Sequence, residues 1–293
     1  MSAVGILHGG SPDIAREEIN EIVKWLKEKC KNPPEIRVPD WKDNLSARAK
    51  SLIQDKVDVI LATGGSRSAH AAVHNRGGAK TPVIVFTSVA PYILKEIDPT
   101  ITTGVCAHTS DHDGARLELL LDMLQYDSPT IGVLWNSNRG DTADQWQAIR
   151  DAAQDRCTLV SADVNGPLTI RKAFDLFQQN GVDGLLVAAD PFFYRNRQEV
   201  VDRAKNANYP AIYQWREFVE IGGLMSYGPN RNDCYKRAKQ MLSDIADGSP
   251  VPPVWEAKDA DFELVVSQAK ATHFGRWPLP SKIANDPRLE VLP

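Results

Sequence analysis

The hydrophobic pattern alternates along the chain between two kinds of segment. Short apolar runs, such as Val57–Ala62 and Gly184–Ala188, have the length and composition of buried strands. Longer segments repeat apolar residues every three or four positions, as in Asp13–Cys30, where Ile19 and Ile22 fall on one face of a predicted helix. Strands this apolar, separated by helices, indicate parallel sheets that are covered on both faces.

The predicted elements form two successive series. The first comprises strand Val4–His8, helix Asp13–Cys30, strand Glu35–Val38, helix Ser46–Gln54, strand Val57–Ala62, helix Ser66–Asn75, strand Pro82–Thr87, a short helix from Pro91 and strand Thr103–Cys106. The second comprises helix Gly114–Leu124, strand Thr130–Trp135, helix Thr142–Asp155, strand Cys157–Ala162, helix Pro167–Asn180, strand Gly184–Ala188, helix Arg195–Asn206 and strand Ala211–Tyr213. Beyond them we predict a strand at Leu224–Tyr227, a helix at Asp233–Ala246 and a last strand at Phe262–Val266. The pattern predicts an α/β protein of two doubly wound, Rossmann-like lobes with parallel sheets.

The chain length agrees with two lobes, because 293 residues lie near the limit at which a single hydrophobic core stops growing. We predict an amino-terminal lobe of residues 1–106 with a return segment at about 228–255. The carboxy-terminal lobe would hold residues 107–227 with a final segment at about 256–293. The segment between the two series is not rich in Pro or Ser, which favours a short hinge over a long linker.

Composition and charge exclude several classes of protein. Hydrophobic residues make up 42% and charged residues 25%, close to a globular average, which argues against disorder, a collagen repeat or a coiled coil. With 34 basic and 38 acidic residues the net charge is −4, so we expect neither a nucleic-acid partner nor an anionic membrane surface. The longest apolar runs fall far short of the roughly 20 residues of a spanning helix. We therefore expect no direct membrane insertion.

The first residues and the cysteines give little information about the location or the function of the protein. Met1–His8 enters a strand-like run without the pattern of an export signal. The four cysteines, which we interpret as buried free thiols, are scattered without a Cys-x-x-Cys spacing: Cys30, Cys106, Cys157 and Cys234.

Ligands of open α/β sheets bind beyond the carboxyl ends of the strands, so the loops there are the candidate site. Thr63–Ser66 is the most informative of these loops. Its glycines would let the backbone approach a ligand, and Ser66 as the N-cap would open a helix whose free N–H groups favour a carboxylate. The fingerprints of triphosphate and dinucleotide sites are both missing from the sequence. An ordinary strand-to-helix turn is the alternative interpretation.

Two further features of these loops would suit a small organic ligand. Asp190 ends an apolar strand and precedes Pro191, where it could accept a ligand ammonium or merely cap the next helix. Aromatic residues near other strand ends could form an apolar wall, although such residues also fill cores: Trp135, Phe192, Tyr213, Trp215 and Tyr227.

Catalytic and metal motifs are weak by comparison. His70 and His74 lie one helical turn apart, but the Glu of the His-Glu-x-x-His motif is absent, so a solvated helix face is favoured. His108 and His112 flank the expected hinge without a recognisable metal motif, and the sequence has no Gly-x-Ser-x-Gly elbow. We expect no catalytic residue, no metal and no cofactor, and interpret the site as one of recognition.

Pro210–Pro229 closely resembles a signature segment of the ABC-transporter substrate-binding proteins, in the family that includes tryptophan- and tyrosine-type aromatic amino acid binders. Further segments resemble the same family and follow its order: Val57–Gly64, Pro82–Phe86, Arg116–Leu120, Val133–Asn136, Asp190–Phe193 and Phe262–Val265. The resemblance covers nearly the whole chain.

The resemblance implies a type I periplasmic-binding-protein architecture, in which two lobes close on a small molecule in the cleft between them. It also implies delivery to a membrane permease driven by a separate ATPase, a periplasmic or other extracytoplasmic location, and no catalysis. Thr63–Ser66 and Ser88–Ala90 look like the family's carboxylate-side contacts, and Asn136 and Asp190 like its amine-side contacts.

The sequence departs from the family pattern in two loops. It has Gly65–Arg67 where relatives tend to have a small residue after Thr-Gly, and Ser88–Pro91 where many have Gly-Asp-Pro. We therefore expect a small carboxylate-bearing ligand, which could be an amino acid or an aromatic acid. The predicted ligand-binding residues are Gly9, Ser11, Thr63, Gly65, Ser66, Ser88, Asn136, Asp190, Phe192, Trp215 and Tyr227.

Two other functions stay open at this point. One is a ligand-sensing regulatory module, although the predicted elements include no DNA-binding helix pair before Val4. The other is a cleft enzyme such as a two-thiol amino acid racemase, in which Cys106 would face a second thiol. Cys157 begins its predicted strand and does not end it, which weakens that pairing.

Overall fold

The computed structural model describes residues 1–10, 12–30, 32–76, 82–137, 142–164 and 167–293. The helices are α1 (Pro12–Lys29), α2 (Leu45–Gln54), α3 (Ser66–Asn75), α4 (Asp113–Leu124), α5 (Thr142–Ala153), α6 (Pro167–Gln179), α7 (Pro191–Arg195), α8 (Arg197–Asn206), α9 (Arg216–Glu220), α10 (Arg231–Ala246), α11 (Gln268–His273) and α12 (Ser281–Ala284), with 3-10 helices at Pro91–Lys95 and Asp259–Asp261. The strands are β1 (Ala3–His8), β2 (Glu35–Arg37), β3 (Val59–Thr63), β4 (Val83–Val89), β5 (Thr102–Cys106), β6 (Thr130–Trp135), β7 (Thr158–Asp163), β8 (Gly184–Val187), β9 (Ala211–Tyr213), β10 (Met225–Pro229), β11 (Trp255–Glu256), β12 (Phe262–Ser267) and β13 (Leu289–Leu292).

The chain divides into two compact units. Unit 1 contains Met1–His108 and Arg231–Ala257, and unit 2 contains Thr109–Asn230 and Lys258–Pro293. The chain therefore passes from one unit to the other after residues 108, 230 and 257. Each unit is built around its own sheet.

Unit 1 holds a six-stranded sheet in the order β11-β5-β4-β3-β1-β2, and the paired strands in it run parallel. Successive residues of a strand point to opposite faces, which sorts the side chains into two layers. Ile60 and Ala62 of β3 pack in the layer covered by α2 and α3. Val59 and Leu61 pack in the layer covered by α1 and α10. The apolar strand runs in the sequence thus become a sheet buried on both faces.

Unit 2 holds a seven-stranded sheet in the order β13-β12-β10-β9-β8-β6-β7. The interior strand β8 is fully buried. Gly132 of β6 leaves room for the ring of Phe177, since an added Cβ at Gly132 would lie 3.1 Å from that ring. With two mostly parallel sheets and helices between the strands, the predicted α/β class with Rossmann-like lobes is confirmed.

One strand pair of unit 2 departs from the predicted parallel order. β12 runs antiparallel to β10, with Pro229 opposite Phe262. The end of β10 and the start of β12 lie at the same edge of the sheet. Because β12 starts at this edge, it runs in the direction opposite to β10. The prediction that Phe262–Val266 is the last strand is wrong, because β13 follows β12 and pairs with it in parallel.

The predicted helix Arg195–Asn206 is interrupted at Asn196 and is preceded by a further short helix, α7, that the prediction did not include. Asp190 and Pro191 open α7, because an acidic cap followed by Pro is a strong helix start. Among the helices that the structure describes, none is long and apolar enough to cross a bilayer. All four cysteines are free thiols, and Cys30, Cys106 and Cys234 are buried.

Candidate functional site

Three loops at the carboxyl edge of the sheet in unit 1 are held together by hydrogen bonds. The backbone N–H of Gly9, after β1, donates to the carbonyl of Thr63 at 2.8 Å. The N–H of Ala90, after β4, donates to the hydroxyl of Ser66 at 2.8 Å. The structure thus brings Gly9, Thr63 and Ser66 into one connected region, whereas predicted site residue Ser11 lies outside the described residues.

The turn between β3 and α3 depends on two glycines. Gly64 and Gly65 have φ angles of 75° and 103°, which favour glycine. An added Cβ at Gly64 would lie 2.6 Å from the ring of His8, so the turn packs directly on that side chain. Gly65 is the N-cap of α3, which corrects the prediction that Ser66 is the cap. Among the described residues no side chain caps this helix, although within its first turn the N–H of Ser68 donates to the carbonyl of Gly65 at 3.2 Å.

The third loop follows an irregularity in β4. The register of β4 against β5 shifts between Phe86 and Val89, as in a β-bulge. Ser88 falls within this shift and is half-buried, at the edge that also holds Ser66. Bulges next to strand ends redirect side chains, and two residues after Ser88 the N–H of Ala90 donates to the hydroxyl of Ser66.

A mostly buried carboxylate, Glu18, contacts the end of β3 beside these loops. It belongs to α1 and accepts hydrogen bonds from the hydroxyls of Thr63 and, at 2.6 Å, Tyr235 of α10. Thr87 donates in turn to the Thr63 hydroxyl oxygen at 3.1 Å. Arg231 Nη2 lies 3.8 Å from the carboxylate. The hydroxyl proton of Thr63 is therefore directed to Glu18.

His8 lies on the other side of the Glu18 carboxylate. Its Nδ1 accepts a hydrogen bond from the N–H of Gly10 at 2.8 Å, so the neutral ring carries its proton on Nε2, which lies 3.5 Å from Glu18 Oε2. Burial alone would raise the pKa of Glu18, but His8 and the hydroxyl donors outweigh it and lower the pKa to about 2. Glu18 is thus a permanent anion inside unit 1 at neutral pH.

Arg48 of α2 supplies a buried cation to the same region. It is only 4% exposed, donates from Nη1 to the carbonyl of His8 at 3.2 Å, and stacks on Trp41 with its guanidinium carbon 3.9 Å from the ring centroid. Burial lowers its pKa, although a nearby Asp43 opposes the effect. Its Nε and Nη2 atoms are buried and find no hydrogen-bond partner within the part of the chain that the structure describes. Two donors of a buried guanidinium are thus left for an acceptor.

Asp190 is the centre of the corresponding loops in unit 2. Its Oδ1 accepts from the N–H of Phe192 at 2.6 Å, as the N-cap of α7, and from Asn136 Nδ2 at 3.4 Å. Gln214 Nε2 donates to its carbonyl at 3.1 Å, and Trp215 follows directly. The structure therefore brings the loops after β6, β8 and β9 together around a carboxylate that is 5% exposed.

A buried ion pair is hydrogen-bonded to the backbone just before Asp190. Asp113 forms a salt bridge to Arg116 and accepts from Gln145 at 2.6 Å and from the N–H of Ala189 at 3.1 Å. Burial raises the pKa of Asp113, and the Arg116 charge opposes it. Because Ala189 precedes Asp190 in the chain, the pair fixes the backbone that positions the candidate site.

The predicted aromatic residues occupy different surroundings. Phe192 is half-buried with its ring edge-on to Phe193 at 5.5 Å, and Trp215 is 8% exposed at the start of α9. The Tyr227 ring is buried 5.2 Å from the Phe262 ring, and its hydroxyl accepts from Arg288. Tyr227 thus belongs to a cluster with Phe262 and Arg288.

Sequence reasoning missed Glu18 and Arg48. Glu18 could have been found, because it falls one helical turn from Ala15 and Ile22 on the buried face of α1. Arg48 precedes buried Ala49 in α2, and its stacking on Trp41 had no signal in the sequence. Cys106, His108 and Glu256 form a further group that could hold a metal, with one ligand atom from each lying within 4.8 Å of the others.

Comparison with known protein families gives one match over most of the chain. The model of a family described as ABC transporter substrate binding protein matches residues 39–275. Comparison with curated proteins finds no match.

Solved structures show the same fold. An ABC domain from Streptococcus pneumonia in complex with L-Trp is 16% identical, covers 100% of both chains and has a TM-score of 0.76. A conserved domain protein from Vibrio cholerae is 19% identical, with 99% of this chain and 98% of that chain covered and a TM-score of 0.75. A periplasmic solute binding protein of an ABC transporter from Actinobacillus succinogenes, with bound D-allose, is 12% identical, with 93% and 100% covered and a TM-score of 0.63. At these identities the likeness extends to the fold alone.

Proposed function

The chain belongs to the family of ABC transporter substrate-binding proteins, and we propose that its ligand is a small carboxylate-bearing molecule, an amino acid or an aromatic acid. The candidate contacts lie in the loops at the carboxyl edge of the sheet in each unit. We place the protein outside the cytoplasm, where it delivers this ligand to a membrane permease. Solved structures of the same fold contain L-Trp in one case and D-allose in another, so the proposal rests on this chain's own residues.

The observation that carries the carboxylate is the pairing of an uncapped helix start with a buried cation. α3 begins at the Gly64–Gly65 turn without a side-chain cap, and the N-terminus of a helix attracts anions. Arg48 keeps Nε and Nη2 without a hydrogen-bond partner among the described residues. The two features belong to the same group of loops, because Arg48 donates to the carbonyl next to Gly9, whose N–H donates to Thr63. A ligand acid group would satisfy donors that the protein leaves open.

Glu18 restricts how this acid group can bind. Because Thr63 donates its hydroxyl proton to Glu18, that hydroxyl is not the donor for the ligand. The negative charge of Glu18 also disfavours a second anion close to Thr63. We therefore assign the acid-side contacts to Arg48, to the backbone of Gly65 and Ser66 and to Ser88, with Gly9 allowing close approach.

Asp190 suits the ammonium group of an amino acid. Its carboxylate is nearly buried and lies next to Asn136 and Gln214, so a ligand ammonium there would make charge-assisted hydrogen bonds. Phe192 and Trp215 adjoin the same loops and offer apolar surface for an aromatic side chain. An aromatic acid without an amine would use only the acid-side contacts and this apolar surface.

Capture and release follow from differential affinity. A ligand that binds one conformation of the protein more tightly shifts the population toward that conformation by the difference in binding free energy. We propose that the permease recognises the ligand-loaded conformation.

The position of Cys157 argues against an enzyme that uses two thiols in a cleft. The residue precedes β7, at the amino end of a strand that runs parallel to β6. The candidate loops of unit 2, including Asn136, lie at the opposite, carboxyl end. Cys157 is therefore far along the strand from the site at which it would have to act. A regulatory module remains a second use of the same binding site.

The backbone N–H of Ser66 provides a direct test of the anion contact. Ser66 is the first residue of α3, where Pro is tolerated because this N–H has no partner within the helix. Ser66→Pro removes both the N–H and the hydroxyl, whereas the matched control Ser66→Ala removes only the hydroxyl. Calorimetry with the best-binding acid and its amide should show that wild type prefers the acid and that Ser66→Pro loses about 1.5–3 kcal/mol of that preference relative to Ser66→Ala.

Equal affinity of the wild type for the acid and its amide would contradict the acid-side site. If Ser66→Pro and Ser66→Ala bind the acid equally well, the N–H of Ser66 is not a contact.

A further inference from the structure

Unit 1 carries a pair of histidines and a glutamate that converge on one point of its surface. His70 and His74 lie one turn apart on α3, and their rings meet edge-on with centroids 4.0 Å apart. Both Nε2 atoms face Oε2 of Glu96, at 3.9 and 3.6 Å. One ligand atom from each of the three residues lies within 4.8 Å of the others. The three side chains thus present two imidazole nitrogens and a carboxylate oxygen to a common centre.

One oxygen of the Glu96 carboxylate favours a bound cation at this centre. Its Oε2 is buried and has no hydrogen-bond partner among the residues that the structure describes. A buried carboxylate oxygen without a donor is costly unless a positive charge compensates it. The side chains of His70 and His74 are 46% and 48% exposed, so an ion from solvent can reach the site.

We propose that His70, His74 and Glu96 form a zinc-binding site. Zinc takes imidazole nitrogen at about 2.0–2.1 Å and carboxylate oxygen at about 2.0–2.2 Å in tetrahedral geometry, which places ligand atoms about 3.3 Å apart. The observed separations of 3.6 and 3.9 Å need only small rotations of the side chains to reach this value. A water molecule would take the fourth position on the exposed side.

The chemistry of the three ligands selects the metal. Two imidazoles and one carboxylate suit zinc and neighbouring transition metals, whereas magnesium and calcium prefer sites made of oxygen atoms. Each imidazole would bind zinc through the lone pair of an unprotonated ring nitrogen.

The zinc site is formed by segments that follow two of the loops assigned to the transported ligand. The zinc proposal does not depend on that assignment. α3 begins with Ser66, and Glu96 follows the 3-10 helix that leads away from Ala90. The hydrogen bond from Ala90 to Ser66 already joins these two segments. Zinc would cross-link them a second time, and we expect it to raise the thermal stability of the protein.

The test is calorimetry of the full chain, freed of any affinity tag and of metal, with Zn²⁺ as the titrant. Wild type should bind one equivalent of zinc at this site. Each of the variants His70→Gln, His74→Gln and Glu96→Gln should lower the zinc affinity by at least about tenfold. A loss of this size is known even for residues that only hydrogen-bond to a zinc ligand. His273→Gln is the matched control, because His273 is an exposed histidine that contacts Asn208 and lies outside the cluster. This control should bind zinc as wild type does, and Mg²⁺ should not compete.

A second measurement separates this site from the Cys106 group. Co²⁺ in place of Zn²⁺ should give a spectrum without a thiolate charge-transfer band, since neither His nor Glu offers sulfur. The proposal is overturned if wild type binds no zinc. It is equally overturned if the double variant His70→Gln/His74→Gln binds zinc like wild type, or if the cobalt spectrum of the first equivalent shows thiolate ligation.

Discussion

Glu18 is the residue on which the architecture of the acid-side loops depends most. It joins β3 to α10 through Thr63 and Tyr235, and it places a fixed negative charge behind the turn that begins α3. A buried anion with several donors holds these side chains in one arrangement. The same donors hold the pKa of Glu18 at about 2, which links the stability of unit 1 to pH.

This linkage predicts how acid destabilises the protein. Because the folded pKa of Glu18 lies below its ordinary value of 4.5, its contribution is fully present above pH 4.5 and is lost as the pH falls toward 2. The contribution is on the order of 3 kcal/mol, from 1.36 kcal/mol per pKa unit. Urea unfolding of wild type and Glu18→Gln should show that the advantage of wild type at pH 6 shrinks by this order between pH 4.5 and 2.

The control for this experiment is Glu17→Gln, which changes an exposed carboxylate on the same helix. It should follow the wild-type pH profile. If Glu18→Gln and wild type instead differ by a constant amount over the whole range, the low pKa of Glu18 is wrong.

Asp190 carries a second prediction at the scale of a residue. Asn can replace Asp as an N-cap, so Asp190→Asn should keep α7 and the fold. If the ligand has an ammonium group, the variant should lose about 1.5–3 kcal/mol of binding free energy, because a charge-assisted hydrogen bond is removed. Calorimetry with an amino acid and its deaminated analogue measures this loss, which should appear only for the amino acid. Unchanged affinity for the amino acid would restrict Asp190 to its role as a cap.

The sequence could indicate some of these residues but not their partners. Asp190 was found from its place at the end of an apolar strand, and Glu18 could have been found from its place on the buried face of α1. Tyr235, however, is 217 residues away from Glu18 in the sequence, and only the packing of α10 against the sheet brings them together. The prediction that Ser66 caps α3 was wrong because Gly65, with its positive φ, takes the cap position.

At the scale of elements, one buried side chain of α4 joins this helix to two other segments of unit 2. Arg116 donates from Nε to the carbonyl of Tyr227 in β10 at 2.7 Å and from Nη1 to the carbonyl of Thr109 at 2.8 Å. Its salt bridge to Asp113 is also buried. Asp113 extends the connection to the backbone before Asp190 through Ala189.

Removing Arg116 should therefore destabilise unit 2 strongly. Arg116→Met keeps much of the side-chain volume but leaves Asp113 as an uncompensated buried charge, and we expect a loss of about 3–5 kcal/mol in the free energy of unfolding. The double variant Asp113→Asn/Arg116→Met removes the stranded charge and should recover part of this loss. Denaturant unfolding measures both. A loss for Arg116→Met below about 1 kcal/mol would contradict the importance of the pair.

Buried strands could be predicted from the sequence more reliably than exposed ones. The apolar runs that predicted β1, β3, β6 and β8 are strands in which most residues are buried, so the sequence shows them clearly. β11 and β13 were not predicted, since they are short edge strands with exposed residues and no apolar run. The antiparallel course of β12 depends on where the chain re-enters the sheet, which is a property of the topology and not of local pattern.

At the scale of the whole molecule, the family match accounts for the two sheets of similar design and the candidate loops at their carboxyl edges. The candidate loops were chosen by the rule that open α/β sheets bind ligands beyond the carboxyl ends of their strands. The fold leaves the ligand open, because relatives with this fold contain an amino acid in one case and a sugar in another. Arg48, the start of α3 and Asp190 are the features of this chain that favour an acid or amino acid.

The measurement that tests this account most directly is a thermal-shift screen of the wild-type protein with amino acids, aromatic acids and neutral sugars. A solute that binds only the folded protein should stabilise it by about 2.7 kcal/mol at a concentration of 100 times its dissociation constant. The account predicts that at least one carboxylate-bearing solute raises the melting temperature and that its amide does so less. A rise with neutral sugars alone, or none across a broad panel of small carboxylates, would contradict it.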